Sequence, residues 1–500
     1  MGKIKKRVRS IFENFEVGNK VSKQEYEEVI PSLRMDLVNM QYDLKDCDFQ
    51  VLVLIAGNNR KAANEVLDIL HEWMDARYLD THVFLAPKQE ELEHPSYWRY
   101  WRAMPPSGRI GIFVGGWIIR ALAERVLEDG SDEILESRIE HMKALEKCLV
   151  NNNTELIKLW LHVPKNEAKK NLKNAKKDPD SEPYIRQRDW EIYERYDKII
   201  SYASDVITET GTRHAPWEII ESSNQRHRNL SVLRTILDTV SKRIDAPRAQ
   251  REDNPTSPKR VSKGALNKVD LNSSIDTKEY SKQLEDLQAK LNRLAIKARD
   301  KFSTVLMFEG WDAAGKGGVI RRITKAMFAE DYHVISIAAP TSEEKKHHYL
   351  WRFWRQIPRD GKMVIFDRSW YGRVLVERVE GFATKEEWQN AYYEINDFEK
   401  QLVEHGIVLC KFWLHIDPEE QIRRFKAREK IGYKKHKITD EDYRNREKWD
   451  QYSIAVNEMV ERTSTTEAPW NLVPANDKKW ARIKVLETVV NALKERLKEH

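Results

Sequence analysis

The chain has 500 residues, of which 40% are hydrophobic and 33% charged, with a formal net charge of +6. That length allows two or more domains with real cores. So mild a basic excess does not by itself imply nucleic acid, and no nucleic-acid partner is expected. Cys47, Cys148 and Cys410 are isolated, with no C-x-x-C pair and no metal-ligand spacing, which suits buried thiols in a reducing compartment. The opening "MGKIKKRVRSIFENFEV" is basic but lacks a following apolar segment, so it does not read as a secretory signal. Lys6 stands where a myristoylation signal wants Ser or Thr. Apolar runs such as "VLVLIA" (51–56) are strand-length and too short for a bilayer. No membrane partner is expected, and a cytoplasmic protein is the default.

In chain order, the first half carries "VLVLIAGNNRKAANEVLDIL", "WRYWRAMPPSGRIGIFVGGWIIR" (98–120), "KLWLHV" (158–163) and "APW" (215–217). Residues 244–274 are rich in Pro, Ser, Asn and charge with no apolar period, and read as a linker. The final third alternates strands and helices. "FSTVLMF" (302–308) predicts a buried strand and "GVIRRITKAMF" (318–328) a helix. "YHVISIAA" predicts a strand, "EEKKHHYLWRFWRQI" a helix, and "KMVIFD" (362–367) a strand. "EEWQNAYYEINDFEKQLVEHG" predicts a long amphipathic helix, "IVLCKFWLHI" (407–416) a strand, and "PEEQIRRFKAREK" a helix. A charged helix around Trp449 follows, and "WNLVPA" precedes a terminal helix. Strands separated by helices imply a parallel sheet covered on both faces.

The early blocks return later. Gly57 matches Gly310, and the first three blocks recur in order at the same offset of 253 residues, as does "APW" at 468–470. This is a tandem duplication of one α/β unit, with domains expected at 1–243 and 275–500. The copies are not equivalent. Asp312 is matched by Asn59, Lys316 by Ala63, Asp367 by Val114 and Arg368 by Gly115. The first copy is therefore expected to keep the fold and lack the chemistry.

In the second copy, "GWDAAGKGG" follows a strand and opens a helix, the outline of a Walker A phosphate loop. Gly310, Gly315, Gly317 and Gly318 let the backbone approach phosphate oxygens, and Lys316 supplies a charge. Gly317 occupies the position where Ser or Thr usually helps hold Mg²⁺. Carboxylates are the expected substitute. Asp367 ends an apolar strand, as a Walker B aspartate does, Asp312 lies inside the loop, and Glu377 is a third candidate. Arg368 and Arg373 can neutralise charge on a transferred phosphoryl group. The basic stretch "RRFKAREKIGYKKHK" (423–437) reads as part of a helical lid at about 423–440, with Arg424 and Arg428 its favoured phosphate contacts. The adjacent His347 and His348 lack ligand spacing. The "WRFWR" and "WRYWR" aromatics occur in both copies and read as packing.

At "GWDAAGKG" and "DRSWYGR", and in a strand like "FWLHI" followed by a basic helix, the sequence resembles the polyphosphate kinase 2 family. The resemblance runs through both copies and is strongest to members with two fused domains, only the second of which keeps the motifs. It implies a P-loop-kinase-like α/β fold, and Mg²⁺-dependent transfer of the terminal phosphate of inorganic polyphosphate to AMP, giving ADP. It makes Lys316 a phosphate ligand and Asp367 a metal ligand. It makes Arg368 a phosphoryl-binding charge, Asp312 a group that orients or deprotonates the acceptor and helps hold metal, and Glu377 a carboxylate placing metal or nucleotide. A polyphosphate kinase acting on ADP or GDP, or on both mono- and diphosphates, is the alternative within the family. Outside it stand an ATP-dependent nucleotide kinase, against which Gly317 and "DRSWYGR" count, and a non-enzymatic polyanion-binding scaffold, against which the intact charged set counts. Homo-oligomerisation is left open by the sequence.

Overall fold

Uninterrupted runs of Val, Leu, Ile and Phe suit strands buried on both faces. In the computed structural model, which describes residues 11–177, 186–245, 264–430 and 440–499, these runs form two parallel sheets. The first contains β1 (Gln50–Gly57), β2 (Leu79–Val83), β3 (Ile110–Val114), β4 (Thr154–His162) and β5 (Trp217–Glu221). The second contains β6 (Thr304–Gly310), β7 (Tyr332–Ser336), β8 (Met363–Asp367), β9 (Val408–His415) and β10 (Trp470–Pro474). Their orders are β2-β3-β1-β4-β5 and β7-β8-β6-β9-β10, the same topology twice. Val51 to Ile55 and Val305 to Phe308 are wholly buried.

The chain divides into two compact units. One holds most of the first half together with Lys345–His348, and the other most of the second half together with Lys88–Arg99. Within each, the central strand lies between the third and fourth strands of its unit, β1 between β3 and β4 and β6 between β8 and β9. The connection reverses direction there, and such a switch point opens a crevice at the carboxyl ends of the strands.

Three segments take a more specific form than the sequence reading gave them. "WNLVPA" forms β10, pairing with β9 from Trp470↔Lys411 to Pro474↔His415. The helix expected over "EEKKHHYLWRFWRQI" is two short turns, Glu344–Lys346 and Trp351–Trp354. Trp351, Phe353 and Trp354 are buried, while Glu343, Lys345, Lys346, Arg355 and Gln356 face solvent. Within the expected linker, residues 246–263 lie outside the described residues, but Ala265–Lys268 is a 3₁₀ turn. Leu266 is buried there, and its N–H donates to Asn457 Oδ1 at 3.0 Å.

Part of the "DRSWYGR" string serves this scaffold. Trp370 Nε1 donates to Glu399 Oε1 at 2.9 Å, while Lys411 Nζ donates to Glu399 Oε2 and to the Thr463 carbonyl, each at 2.7 Å. The first unit repeats the arrangement. Trp117 Nε1 reaches Glu146 Oε1 at 3.0 Å, and Lys158 Nζ reaches Glu146 Oε2 at 2.6 Å and the Thr210 carbonyl at 2.8 Å. A network present in both copies belongs to the fold, and removing one partner of such a buried pair would cost about 3–5 kcal/mol.

Candidate functional site

At the carboxyl end of β6 the chain leaves the sheet through residues 311–315 and enters the helix Lys316–Thr324. Two residues of this passage have left-handed backbone: Ala313 at φ 64° and Gly315 at φ 115°. Ala314 N–H closes a turn on the Trp311 carbonyl at 3.0 Å. The N–H groups of Ala313, Gly315, Lys316 and Gly317 meet no acceptor among the described residues. Such a set at a helix N-terminus, with its partial positive charge, can receive an anion. Lys316 Nζ donates to the Gly310 carbonyl at 2.7 Å, so its charge sits over the loop.

The glycines divide by role. A Cβ on Gly310 would lie 2.6 Å from the Leu414 carbonyl oxygen, and one on Gly57 would lie 2.4 Å from that of Leu161. Gly310 therefore answers to the neighbouring strand in both copies. A Cβ on Gly317 would meet nothing within 4 Å. No protein atom demands glycine there.

A cleft open at its mouth is lined by Glu309, Asp312, Lys316, Arg368, Trp413 and Asn445, among others. Asp312 accepts from Asn445 Nδ2 at 3.0 Å and stands 3.6 Å from the Arg368 guanidinium. Arg368 has φ 69°, a conformation costly for any residue with a Cβ. Its counterpart Gly115 has φ 92°. The backbone at this strand end is thus strained where it carries an arginine and unstrained where it carries none. Asp367 pairs in register with Phe308 and Ser336 at the end of β8, beside the cleft but not among its lining residues. Its carboxylate has no protein donor among the described residues. Hard oxygen ligands without protein partners suit a divalent cation.

Other expected contacts have partners within the protein. Arg373 Nε lies 3.2 Å from Glu377 Oε2, its guanidinium stacks over Tyr349, and neither member of the pair lines the cleft. The first copy keeps the same pair, Arg120 with Glu124 at 2.9 Å. The pair of Arg373 and Glu377 closes on itself, outside the residues that line the cleft. Arg424 is buried, and all its N–H groups are taken. Nε donates to Glu420, Nη1 to the carbonyls of Ala313 (2.9 Å) and Ala314 (2.7 Å), and Nη2 to those of Ala475 (2.6 Å) and Asn476 (2.9 Å). A guanidinium has five N–H donors, so none remains for phosphate. Arg428, one turn on, is half-buried and has no partner among the described residues. Of the expected lid, Lys434, Lys435 and Lys437 lie outside the described residues.

Several residues at the site were not legible as site residues in the sequence. Glu309 is buried beside the loop and accepts from the Ser369 hydroxyl at 2.8 Å. Burial pushes its carboxyl up from the usual range, against the smaller pull of Lys316, the Ser369 hydroxyl and Arg368. At the same offset the first copy has Ala56 and Gly116, so comparison of the copies held the signal. Trp311 stacks on Trp449, with ring centroids 3.6 Å apart, and donates to His415 Nδ1 at 3.0 Å. Burial holds His415 down at about 4, so it is neutral and accepts through Nδ1. The guanidinium of Arg482 lies 3.5 Å from where a Gly318 Cβ would be.

The corresponding place in the first unit is closed. Its helix begins at Arg60, directly after Asn59, whose Oδ1 accepts from Ala62 N–H at 3.0 Å. The open loop has become a capped helical turn. Asn58 occupies the Trp311 position, and its side chain pairs with the Val163 backbone at 2.8 and 2.9 Å. Phe12, from the segment Ile11–Phe15, fills the space instead, stacking on His162 with centroids 4.7 Å apart.

The model of the family described as polyphosphate kinase 2 matches residues 20–247 and again 274–500. The polyphosphate:AMP phosphotransferase of Pseudomonas aeruginosa is 45% identical over 491 residues, covering 97% of this chain and 98% of that one. The enzyme of the same name from Pseudomonas syringae pv. tomato is 43% identical over 488 residues, covering 97% and 98%. A crystal structure from Pseudomonas aeruginosa assigned to polyphosphate kinase 2 superposes with a TM-score of 0.89 at 42% identity, covering 98% of this chain and 100% of that one.

Proposed function

The chain belongs to the polyphosphate kinase 2 family, and from that premise we propose that it transfers the terminal phosphoryl group of inorganic polyphosphate to AMP, giving ADP. The observation that carries this reading is the contrast between the copies. The second keeps an open loop with unpaired N–H groups beside Lys316, Asp312 and Arg368, whereas the first has wound that loop into a capped helix. Full-length likeness to relatives named for AMP favours AMP over ADP as acceptor.

In the reaction, an oxygen of the AMP phosphate forms a bond to the terminal phosphorus of the polyphosphate. The bridging P–O bond breaks, and the shortened chain leaves with the bonding pair. The acceptor oxygen is already largely deprotonated at neutral pH, so little general-base work is required and positioning with charge neutralisation does most of it. The loop N–H groups and Lys316 bind oxygens of the transferred group. Arg368, half-exposed at the strand end, offsets charge there as the bridging bond lengthens. Asp312 orients the acceptor side of the cleft, held by Asn445. Asp367 and Asp312 would hold Mg²⁺, which supplies charge neutralisation to the phosphate oxygens when bound. Arg428 is the remaining candidate for an outer phosphate contact.

The first copy, about residues 1–243, has no transfer activity in this reading. A closed loop, Val114 and Gly115 in place of the charged pair, and Phe12 in the crevice support that. A cytoplasmic enzyme fits the substrates and the free, mostly buried cysteines. No helix among the described residues is long and apolar enough to cross a membrane. Following nucleotides by ion-exchange chromatography, with polyphosphate, AMP and Mg²⁺ but no ATP, tests the proposal. ADP formation that disappears on Asp367→Ala supports it, and formation that persists in that variant contradicts the assigned site.

A further inference from the structure

We propose that Arg424, assisted by Gln421, is a positioning residue that holds the phosphate loop open, and that it governs transfer without touching phosphate. The inference rests on the loop's being the phosphate site proposed above. Three consecutive loop carbonyls are each taken by a side chain from the helix Pro418–Glu429. Gln421 Nε2 donates to that of Asp312 at 3.2 Å, and Arg424 Nη1 donates to those of Ala313 and Ala314. In a trans peptide the carbonyl and the next N–H point in opposite directions. Pulling these carbonyls toward the helix therefore turns the N–H groups of Ala313 and Gly315 the other way, where no protein acceptor is found among the described residues.

The other end of the clamp is equally fixed. Arg424 Nη2 holds the carbonyls of Ala475 and Asn476, at the turn after β10. Asn476 in turn exchanges hydrogen bonds with Asp417, the cap of the helix that bears Arg424. Gln421 Oε1 accepts from Arg446 Nη1 at 3.1 Å, which fixes the amide's orientation. Ala313 sits at φ 64°, a strained conformation for a residue with a Cβ, which needs such a tether to persist. In the first copy the arginine is Asn171 and the glutamine Ala168, and there the same stretch of backbone is helical. The clamp and the open loop are absent together.

A direct phosphate ligand and a backbone clamp respond differently to substitution. Arg424→Lys keeps the positive charge but cannot bond four carbonyls at once. Full-length Arg424→Lys, Arg424→Ala and Gln421→Ala would be compared with wild type for kcat, for KM toward polyphosphate and AMP, and for thermal unfolding. Low-millimolar guanidinium would be added in parallel with sodium chloride at equal ionic strength. We expect Arg424→Lys and Arg424→Ala to lose kcat to a similar extent, about 10²-fold, as misplacement of a binding group by an ångström does. We expect Gln421→Ala to lose about tenfold, and guanidinium but not sodium to restore part of the Arg424→Ala loss. Near-normal kcat in Arg424→Lys, or a defect confined to KM for polyphosphate, would overturn the proposal. Should Arg424→Ala fail to fold, since it leaves Glu420 buried without that partner, the lysine and Gln421 variants decide. Calorimetry with tripolyphosphate separates the two layers of inference. Wild-type binding without transfer to AMP would sink the proposed reaction, while weakened binding by Arg424→Lys with kcat unchanged would sink the clamp.

Discussion

Replacing Arg368 by glycine should make the protein more stable than replacing it by alanine, while both substitutions abolish most of the activity. At φ 69° a residue with a Cβ is strained by about 1–2 kcal/mol, and glycine is not. Against this, glycine gives the unfolded chain extra freedom, worth about 0.4–1 kcal/mol. The difference leaves Arg368→Gly ahead of Arg368→Ala by about 0.5–1 kcal/mol. Both variants lose the contact with Asp312, at 3.6 Å from a guanidinium that is 51% exposed, so that term cancels in the comparison. In a unit of this size the gap corresponds to roughly 1–4 °C in Tm. Turnover should fall about 10²–10³-fold in both, the usual loss of a donor to developing charge. Differential scanning fluorimetry and the ADP-formation assay read the two effects. An alanine variant as stable as the glycine one, or a glycine variant within tenfold of wild-type turnover, would refute the reasoning that the strain exists to present this arginine.

Gly317→Ala should leave the fold intact or stabilise it by about 0.5–1 kcal/mol, since its Cβ meets nothing within 4 Å. It should nonetheless cut turnover with polyphosphate at least tenfold, and unchanged turnover would mean that no ligand approaches this backbone. Glu309→Gln should raise stability at neutral pH. The folded carboxyl titrates above its ordinary value of 4.5, so below that value both states are protonated and the glutamate costs nothing; as pH rises, the unfolded state ionises first and stability is lost. Urea melts should show the variant's advantage growing with pH and vanishing in acid, and a constant gap would contradict it.

Strands were legible wherever both faces are buried, because an unbroken apolar run has few other uses. β10 escaped notice because Trp470–Pro474 is a short edge strand, only partly buried and ending in proline. The aromatic stretch around Trp351 reads as a longer helix because buried aromatics alternate with exposed Arg355 and Gln356, and nothing local shows that the helical turn stops at Trp354. At the site, the loop and the end of β8 were legible from spacing alone. Arg373 and Glu377 form an i,i+4 pair, which reads the same in sequence whether it faces a ligand or closes on itself. The first copy retains the pair as Arg120 and Glu124. Arg424 belongs to a basic run in which nothing local marks the one buried guanidinium. Glu309 meets Ser369, and Gln421 meets Asp312, only through the parallel sheet and its crossovers.

The central claim is that one intact loop of a duplicated fold moves phosphate from polyphosphate to AMP. The most direct measurement is product analysis by ion-exchange chromatography after incubation with long-chain polyphosphate and Mg²⁺, without ATP, offering AMP and ADP in separate reactions and comparing wild type with Lys316→Ala. The account predicts ADP from AMP in the wild type and its near-complete loss in the variant, whose fold is kept because Lys316 makes one partly exposed hydrogen bond, to Gly310. ATP formed from ADP with no ADP formed from AMP would contradict the assigned acceptor, and transfer undiminished in Lys316→Ala would contradict the assigned site.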